Sequence, residues 1–267
     1  MLNQPLRLKE ELFKLGVKTE IIPMSVSLTG ISGEEIRSSF NGCEFCVFYD
    51  KDRYALMEIE KAGIRCFNNY RAMTLCDDKM LTFIALSGAG IPMPETYSSP
   101  LCYTPSSSAT DEYFDFLEKK LGFPMIVKEC YGSLGKGVRL ATNKDELKHF
   151  SEELKLKPHI YQKFVAESFG TDLRVIVIGG KYVGAMKRTS FDDFRSNIAA
   201  GGKGETYAAD ERTIALSEKI AKLLGLVYCG IDFLFGKDGL VLCEVNSNAF
   251  FKGAESVTGV NVAKIYA

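Results

Sequence analysis

A short hairpin carrying acids constrains this chain more than any other stretch. Residues 229–248, CGIDFLFGKDGLVLCEVNSN, read as two apolar runs around a tight turn, yet Asp232 interrupts the first, and Glu244 and Asn246 the second. Strand interiors seldom take carboxylates, because an unpaired buried charge is costly. A three-residue loop, Lys237-Asp238-Gly239 with Gly239 left-handed, places Asp232 opposite Glu244. The period of two then puts Asn246 on the same face and turns Ile231, Phe233, Phe235, Val241, Cys243 and Val245 toward a core. Facing carboxylates repel unless something positive lies between them. A hard divalent cation such as Mg2+, shared with substrate phosphates, answers that need. A two-residue turn would instead face Asp232 away from Glu244, each acid pairing with a nearby Lys or Arg. Spacing alone leaves both open.

The remaining bulk properties mostly exclude. The 267 residues suggest two or three compact units. A formal net charge of -1 without a basic run argues against nucleic acid. No apolar run reaches the roughly 20 residues of a membrane span, and the start, MLNQPLRLKE, lacks a signal-peptide core. The cytoplasm is the expected location. The eight cysteines are scattered, mostly in apolar runs, as buried free thiols would be. CEFC at 43–46 is the sole CxxC, and His149 and His159 read as surface residues, so no structural zinc is expected.

Along the chain, PLRLKEELFKLG puts Leu8, Leu12 and Leu15 on one helical face and stops at Gly16. The β-like VKTEIIP, strand CEFCVFYD, helix RYALMEIEKAG, strand IRCFN and helix DDKMLTFIALSGAG follow. This βαβ rhythm suggests a small parallel sheet, although the unit opens on its helix, without the usual first strand. TYSSPLCYTPSSSATD, 96–111, reads as a linker. Beyond it come a helix, the strand FPMIVKECYG, a glycine loop, another strand, the helix NKDELKHFSEELK and the strand HIYQKFV. The last third holds a hairpin turning at Gly179-Gly180, the loop FRSNIAAGGKGE, the helix DERTIALSEKIAKLLG and the acidic hairpin. The fold class is α/β in the mixed α+β sense.

Three further stretches carry chemistry. IVKECYGSLGKGV is a strand with Lys128 leading into Gly132, Ser133, Gly135 and Gly137, whose backbone amides could cradle phosphate oxygens. It is not a Walker loop, because Gly137 follows Lys136 where Ser or Thr is required. A two-residue turn at Gly179-Gly180 sets Asp172 opposite Lys187, either as a cross-strand ion pair or as a charged floor beneath a nucleotide. FRSNIAAGG offers Arg195, Ser196 and Asn197, donors suited to a phosphate or acyl phosphate.

Taken in order, LCDDKML, GFPMIVKECYGSLGKGV, YQKFV, GTDLRVIVIGGKYVGAMKR, FDDFRSNIAAGG and GLVYCGIDFLF…LVLCEVNSN resemble the ATP-grasp superfamily, specifically its RimK-type carboxylate–amine ligases, of the alpha-L-glutamate ligase kind. The resemblance covers about residues 45–267. It implies an ATP-grasp fold of three units: a small αβ domain at 1–94, a central lid at 95–165 and a C-terminal domain at 166–267. It also implies roles. Lys79 and Lys128 would contact the ATP phosphates; Gln162, Lys163, Phe164 and Val165 would line the adenine hinge; Asp172 would approach the ribose. Arg195, Ser196 and Asn197 would meet the γ-phosphate and acyl phosphate, with Lys128, Arg195 and Asn197 as the catalytic set. Asp232, Glu244 and Asn246 would hold Mg2+, usually as two ions, with Mn2+ as an alternative.

Departures stand beside these. Lys163 occupies a position where relatives often have an acid, and NSNAFFKG replaces a small, proline-containing pattern, so that Phe250 and Phe251 either line an acceptor pocket or pack. The expected reaction is amide formation through an acyl phosphate, joining small-molecule or peptide carboxylate and amine substrates, with no nucleic acid or membrane partner and with homo-oligomerisation left open. Two other readings share the nucleotide site: a kinase acting on a hydroxyl, and a regulatory module that holds ATP without turnover.

Overall fold

The computed structural model describes residues 3–26, 29–40, 42–132, 135, 137–190, 193–196 and 202–267. The chain opens with α1, Asn3–Lys14, whose Gln4, Leu8 and Leu12 form a buried stripe at four-residue spacing. Leu15 lies beyond the helix end and is exposed, contrary to the expected stripe. The expected strand over 17–23 does not form; instead β1, Thr29–Ser32, and β2, Glu35–Ser38, make an unforeseen antiparallel pair. β3, Phe45–Val47, and β4, Arg65–Phe67, pair in parallel across α2, Arg53–Lys61, as the βαβ rhythm anticipates.

The helix expected from Asp77 is α4, Lys79–Leu86, and an unforeseen helix, α3 at Tyr70–Asp77, comes directly before it. The cause is local. Asp78 is extended, and its carboxylate accepts the Met80 and Leu81 amides, capping a new helix at the point where the first ends. Both helices pack into one core with the later sheet, Ala72, Cys76, Phe83 and Leu86 meeting Val175, Val177, Ile231 and Phe233.

Next comes a four-stranded antiparallel sheet in the order β5-β8-β6-β7, built from β5 (Thr96–Ser98), β6 (Met125–Glu129), β7 (Val138–Ala141) and β8 (His159–Lys163). Helices α5, Asp111–Leu121, and α6, Lys144–Leu154, cover it, Phe114, Leu117 and Leu147 joining Tyr161 of β8 in one core. The start of the expected linker is therefore an edge strand, Thr96 pairing with Gln162 and Ser98 with Ile160. His159 is also not a surface residue. It is 2% exposed, its Nδ1 donating to the Lys157 carbonyl at 2.8 Å and its Nε2 2.9 Å from the Tyr161 hydroxyl.

The final sheet runs β11-β10-β9-β12-β13, antiparallel throughout. Its strands are β9 (Thr171–Ile178), β10 (Lys181–Thr189), β11 (Lys203–Thr206), β12 (Tyr228–Gly236) and β13 (Gly239–Asn246). Helix α7, Glu211–Leu224, packs on one face. On the other, α8 (Lys252–Thr258) and α9 (Val262–Tyr266) cover one end, leaving the other end free for charged side chains.

Two bulges set what those side chains do. The turn between β12 and β13 is a two-residue one, Lys237-Asp238 between paired Gly236 and Gly239, and Gly239 has the positive φ expected of it, 122°. That turn alone would face Asp232 away from Glu244. A bulge restores the pairing, because Cys243 is an extra residue between Leu242, opposite Phe233, and Glu244, opposite Asp232. Leu240 and Leu242 consequently face the core, where Val241 and Cys243 were expected. A second bulge, between Tyr182 and Gly184, shifts β10 so that Arg188, not Lys187, faces Asp172.

Candidate functional site

A cavity of about 1330 Å³ lies between the two larger sheets and extends to α1 and the segments around β3. Strand β6 delivers Lys128 into it, 4% exposed, with its ammonium donating to Gln162 Oε1 at 2.8 Å. The Gln162 nitrogen donates in turn to Thr96 Oγ1 at 2.8 Å, which fixes the carboxamide toward the lysine. Burial pulls the Lys128 pKa down, opposed by the neighbouring Cys243 and Glu244.

Two cations hold the glycine loop. Lys79 Nζ donates to the Gly132 carbonyl at 3.2 Å, and Arg195 Nη1 to the Gly135 carbonyl at 3.0 Å. Arg195 also pairs with Asp193 at 2.5 Å, and that carboxylate raises its pKa. Gly132 and Gly135 line the cavity, whereas Gly137, expected with them, lies off the wall. There φ of 76° and the Glu129 carboxylate, 3.1 Å from where a Cβ would be, account for the glycine. Ser133 and Asn197 lie outside the described residues.

Gln162, Lys163, Phe164 and Val165 form one side of the cavity, the Lys163 amide donating to the Glu95 carbonyl at 2.9 Å. Phe164 packs edge-on against Phe169 and Phe194.

The floor is a charge lattice. Arg174 binds Asp232 through two bonds, Nε to Oδ1 at 2.7 Å and Nη2 to Oδ2 at 2.6 Å. Arg188 binds Asp172 at 2.6 Å and also reaches Asp232 at 3.0 Å. Burial opposes ionisation of Asp232, but the two guanidiniums outweigh it and hold the carboxyl down to about 2. At Asp172 burial wins, pushing its pKa up against the pull of Arg188 and Ser196. Lys187, expected at the nucleotide, faces the opposite side and pairs with Glu205 at 3.4 Å.

Glu244 and Asn246 complete the wet face. Asn246 Nδ2 donates to Glu244 Oε1 at 3.1 Å and lies 3.4 Å from Asp232 Oδ2, so the three side chains converge as the alternation predicts. Among the described residues no cation lies within ion-pair distance of Glu244. Among them, too, no three or more His, Cys, Asp or Glu cluster for a metal; what this face offers is two carboxylates and the Asn246 carboxamide. This all-oxygen set fits a hard divalent cation. Because Asp232 is already shared by two arginines, Glu244 has the carboxylate best placed to lead.

Sequence reasoning missed Arg188 and Cys243. Arg188 is adjacent to the residue named, and only the bulge distinguishes them. Cys243, an extra residue on the cavity side, has its pKa pushed up to about 12 by burial. Of the two phenylalanines left open, Phe250 lines the cavity and Phe251 is buried beside Tyr228. No helix among the described residues is long and apolar enough to cross a membrane.

Comparison with known proteins agrees in sequence and shape. The RimK-like ATP-grasp domain family matches residues 76–267. Human "Beta-citrylglutamate synthase B" is 36% identical over 223 residues, covering 82% of this chain and 56% of that protein. A "Probable alpha-L-glutamate ligase" of Thioalkalivibrio sulfidiphilus is 36% identical over 211 residues, 78% of this chain and 67% of its own length. The chain thus spans only about half the length of the first of these. The RimK domain ATP-grasp protein of Sphaerobacter thermophilus superposes with a TM-score of 0.77 at 20% identity, over 100% of this chain and 94% of that one. The ATP-grasp ligase PsnB with its minimal precursor gives 0.73 at 21%, over 99% and 94%. The chain has the ATP-grasp fold and belongs to the RimK-like ATP-grasp family.

Proposed function

We propose that this chain is an ATP- and Mg2+-dependent carboxylate–amine ligase that forms an amide bond through an acyl phosphate, ligating an amino acid to a peptide or small carboxylate. The names of its relatives, a β-citrylglutamate synthase and glutamate ligases, support that reaction class. One observation carries the reading: Asp232, Glu244 and Asn246 share a single cavity with Lys79, Lys128 and Arg195. The three segments 1–94, 95–165 and 166–267 serve as the small domain, lid and C-terminal domain.

In this reading a substrate carboxylate attacks the γ-phosphate of ATP, and ADP leaves. An amine then displaces phosphate from the acyl phosphate. Lys128, oriented by Gln162, and Lys79 neutralise the nucleotide phosphates, while Arg195 approaches the transferring group from the opposite loop. Asp232, Glu244 and Asn246 would hold Mg2+, as two ions or with Mn2+ in its place. That ion would supply positive charge to stabilise the transferring phosphoryl group. Gln162 to Val165 receive the adenine, Asp172 faces the ribose side, and Ser196 stands with Arg195 toward the γ-phosphate. Closure of the β5–β8 sheet over the cavity keeps water from the acyl phosphate.

Glu244→Gln is the clean test. It removes the charge while keeping an oxygen for Asn246 and leaving the Arg174–Asp232 pair intact. ADP release in the presence of substrates should fall by about 10²–10³ or more. Near-normal turnover by a folded Glu244→Gln protein would overturn the assignment of the metal face.

A further inference from the structure

The Asn246 carboxamide stands where a hairpin holds least. It belongs to the last residue of β13, paired with Gly230 in the final rung of the β12–β13 ladder, and β13 is the edge strand of its sheet among the described strands. Strand ends fray first, yet a metal ligand must be held to within about half an ångström. Asp232 has an easier position, paired on one side with Arg174 of β9 and on the other with Glu244 of β13. Asn246 needs a tie from beyond the ladder.

Asn68 supplies it. This residue directly follows β4 and is 1% exposed. Its carboxamide uses both donors and both acceptor sites. Nδ2 donates to the Tyr228 carbonyl at 2.6 Å and the Ser247 carbonyl at 2.9 Å, while Oδ1 accepts the Val227 amide at 2.7 Å and the Tyr228 amide at 3.1 Å. One side chain thus grips the start of β12 and the first residue after β13, standing in for the rung that the two strands stop short of making. Neighbouring Asn69 caps α3, its Oδ1 accepting the Ala72 amide at 2.8 Å, which fixes the backbone from which Asn68 reaches. The chain beyond is tied as well: Asn248 Nδ2 donates to the Asp50 carbonyl at 3.3 Å, and the Ala249 carbonyl accepts from Gln4 Nε2 at 3.0 Å and the Tyr228 hydroxyl at 2.6 Å. Those bonds act two and three residues past Asn246. Asn68 acts on the adjoining one.

We infer that Asn68 is a positioning residue for the metal face, setting the place of Asn246 through the Ser247 carbonyl without itself reaching the cavity. The small N-terminal segment is on this account part of the metal-binding apparatus, although Asp232, Glu244 and Asn246 all lie in the last third of the chain. The inference deepens the ligase reading and rests on its metal face, not on the identity of the substrates.

The test reads metal rather than turnover. Mn2+ is titrated into the intact protein saturated with a non-hydrolysable ATP analogue, and the free ion is followed by electron paramagnetic resonance. Asn68→Ala should raise the Mn2+ dissociation constant about ten- to hundredfold, the usual cost of losing a group that orients a metal ligand. Affinity for the analogue in EDTA should be unchanged. Ser151→Ala is the control, removing a buried hydroxyl that joins Tyr161 to the Leu147 carbonyl in the core of the other sheet. It should lower the unfolding midpoint and leave the Mn2+ constant intact, because a merely destabilised protein offers fewer sites of the same affinity. An unchanged constant in folded Asn68→Ala, or an equal rise in Ser151→Ala, would overturn the positioning role. Should Asn68→Ala not fold, hydrogen exchange of the unaltered protein decides, since coupling is reciprocal. Mg2+ with the analogue should slow the Val227 and Tyr228 amides about tenfold more than the Leu147 amide of α6, a difference lost in EDTA; its absence would overturn the role equally. Unaltered protein that binds no Mn2+ would remove the metal face and the role of Asn68 together. Mn2+ binding weakened by Asn68→Ala, with no carboxylate–amine pair ever releasing ADP, leaves the positioning residue without the ligase, and ADP release with a Mn2+ constant indifferent to Asn68 leaves the ligase without it.

Discussion

Lys187 and Arg188 are neighbours in the sequence with opposite surroundings. Lys187 meets Glu205 at the surface, both side chains well exposed. Arg188 is 6% exposed and bridges Asp172 and Asp232. An exposed pair gains little Coulomb energy in water, whereas removing one member of a buried network strands the others. Arg188→Met should therefore cost about 3–5 kcal/mol in urea unfolding, and Lys187→Met under about 1 kcal/mol. Equal costs would mean that the lattice is not the buried network its distances describe. At this scale the sequence displayed residue types but not their facing. Lys128, Asp172, Asp232, Glu244 and Asn246 all reach the cavity as read. Lys187 and Gly137 do not, because a one-residue register shift and a tight backbone approach leave no mark in composition.

Both bulges act at the level of the element. The convergence of Asp232 and Glu244 was legible from alternation, yet the assumed three-residue turn is absent, and Cys243 supplies the missing residue within β13 instead. Turn length and bulge are interchangeable in register arithmetic, so a hairpin sequence determines which residues face each other less surely than which are apolar. The loop that presents Arg195 depends on another backbone feature. Gly170 has φ of +64°; its amide donates to the Phe194 carbonyl at 2.9 Å, and its carbonyl accepts from Ser190 at 2.7 Å. A Cβ there would lie 2.6 Å from the Ser190 carbonyl oxygen and 3.0 Å from that of Asp193. Gly170→Ala should cost about 1–3 kcal/mol and also slow ATP turnover, because the segment holding Arg195 must move. Gly179→Ala is the control: its φ is +57°, but nothing lies within 4 Å, so it should lose stability with turnover intact. Equal turnover in the two variants would separate Arg195 from Gly170.

For the whole molecule, the consequence follows from where the cavity lies. Its walls come from the β5–β8 sheet through Lys128 and Gln162, from the β9–β13 sheet through Asp172 and Glu244, and from α4 through Lys79. A nucleotide bound there touches parts that otherwise have separate cores, one around Leu117 and Leu147 and one around Val175 and Phe233. Ligand that binds only the folded state stabilises by RT ln(1 + [L]/Kd), about 2.7 kcal/mol at a hundredfold excess over Kd. For a chain of this size that corresponds to roughly 5–10 °C in Tm. ATP with Mg2+ should therefore raise Tm by this order and draw the melting of both sheets into one transition. ATP with EDTA should give a distinctly smaller shift, because phosphates then face Asp232 and Glu244 with no cation between them. The same shift with and without Mg2+ would show that the acids of the hairpin do not meet the nucleotide through a metal, and the chemistry assigned to that face would fail with it.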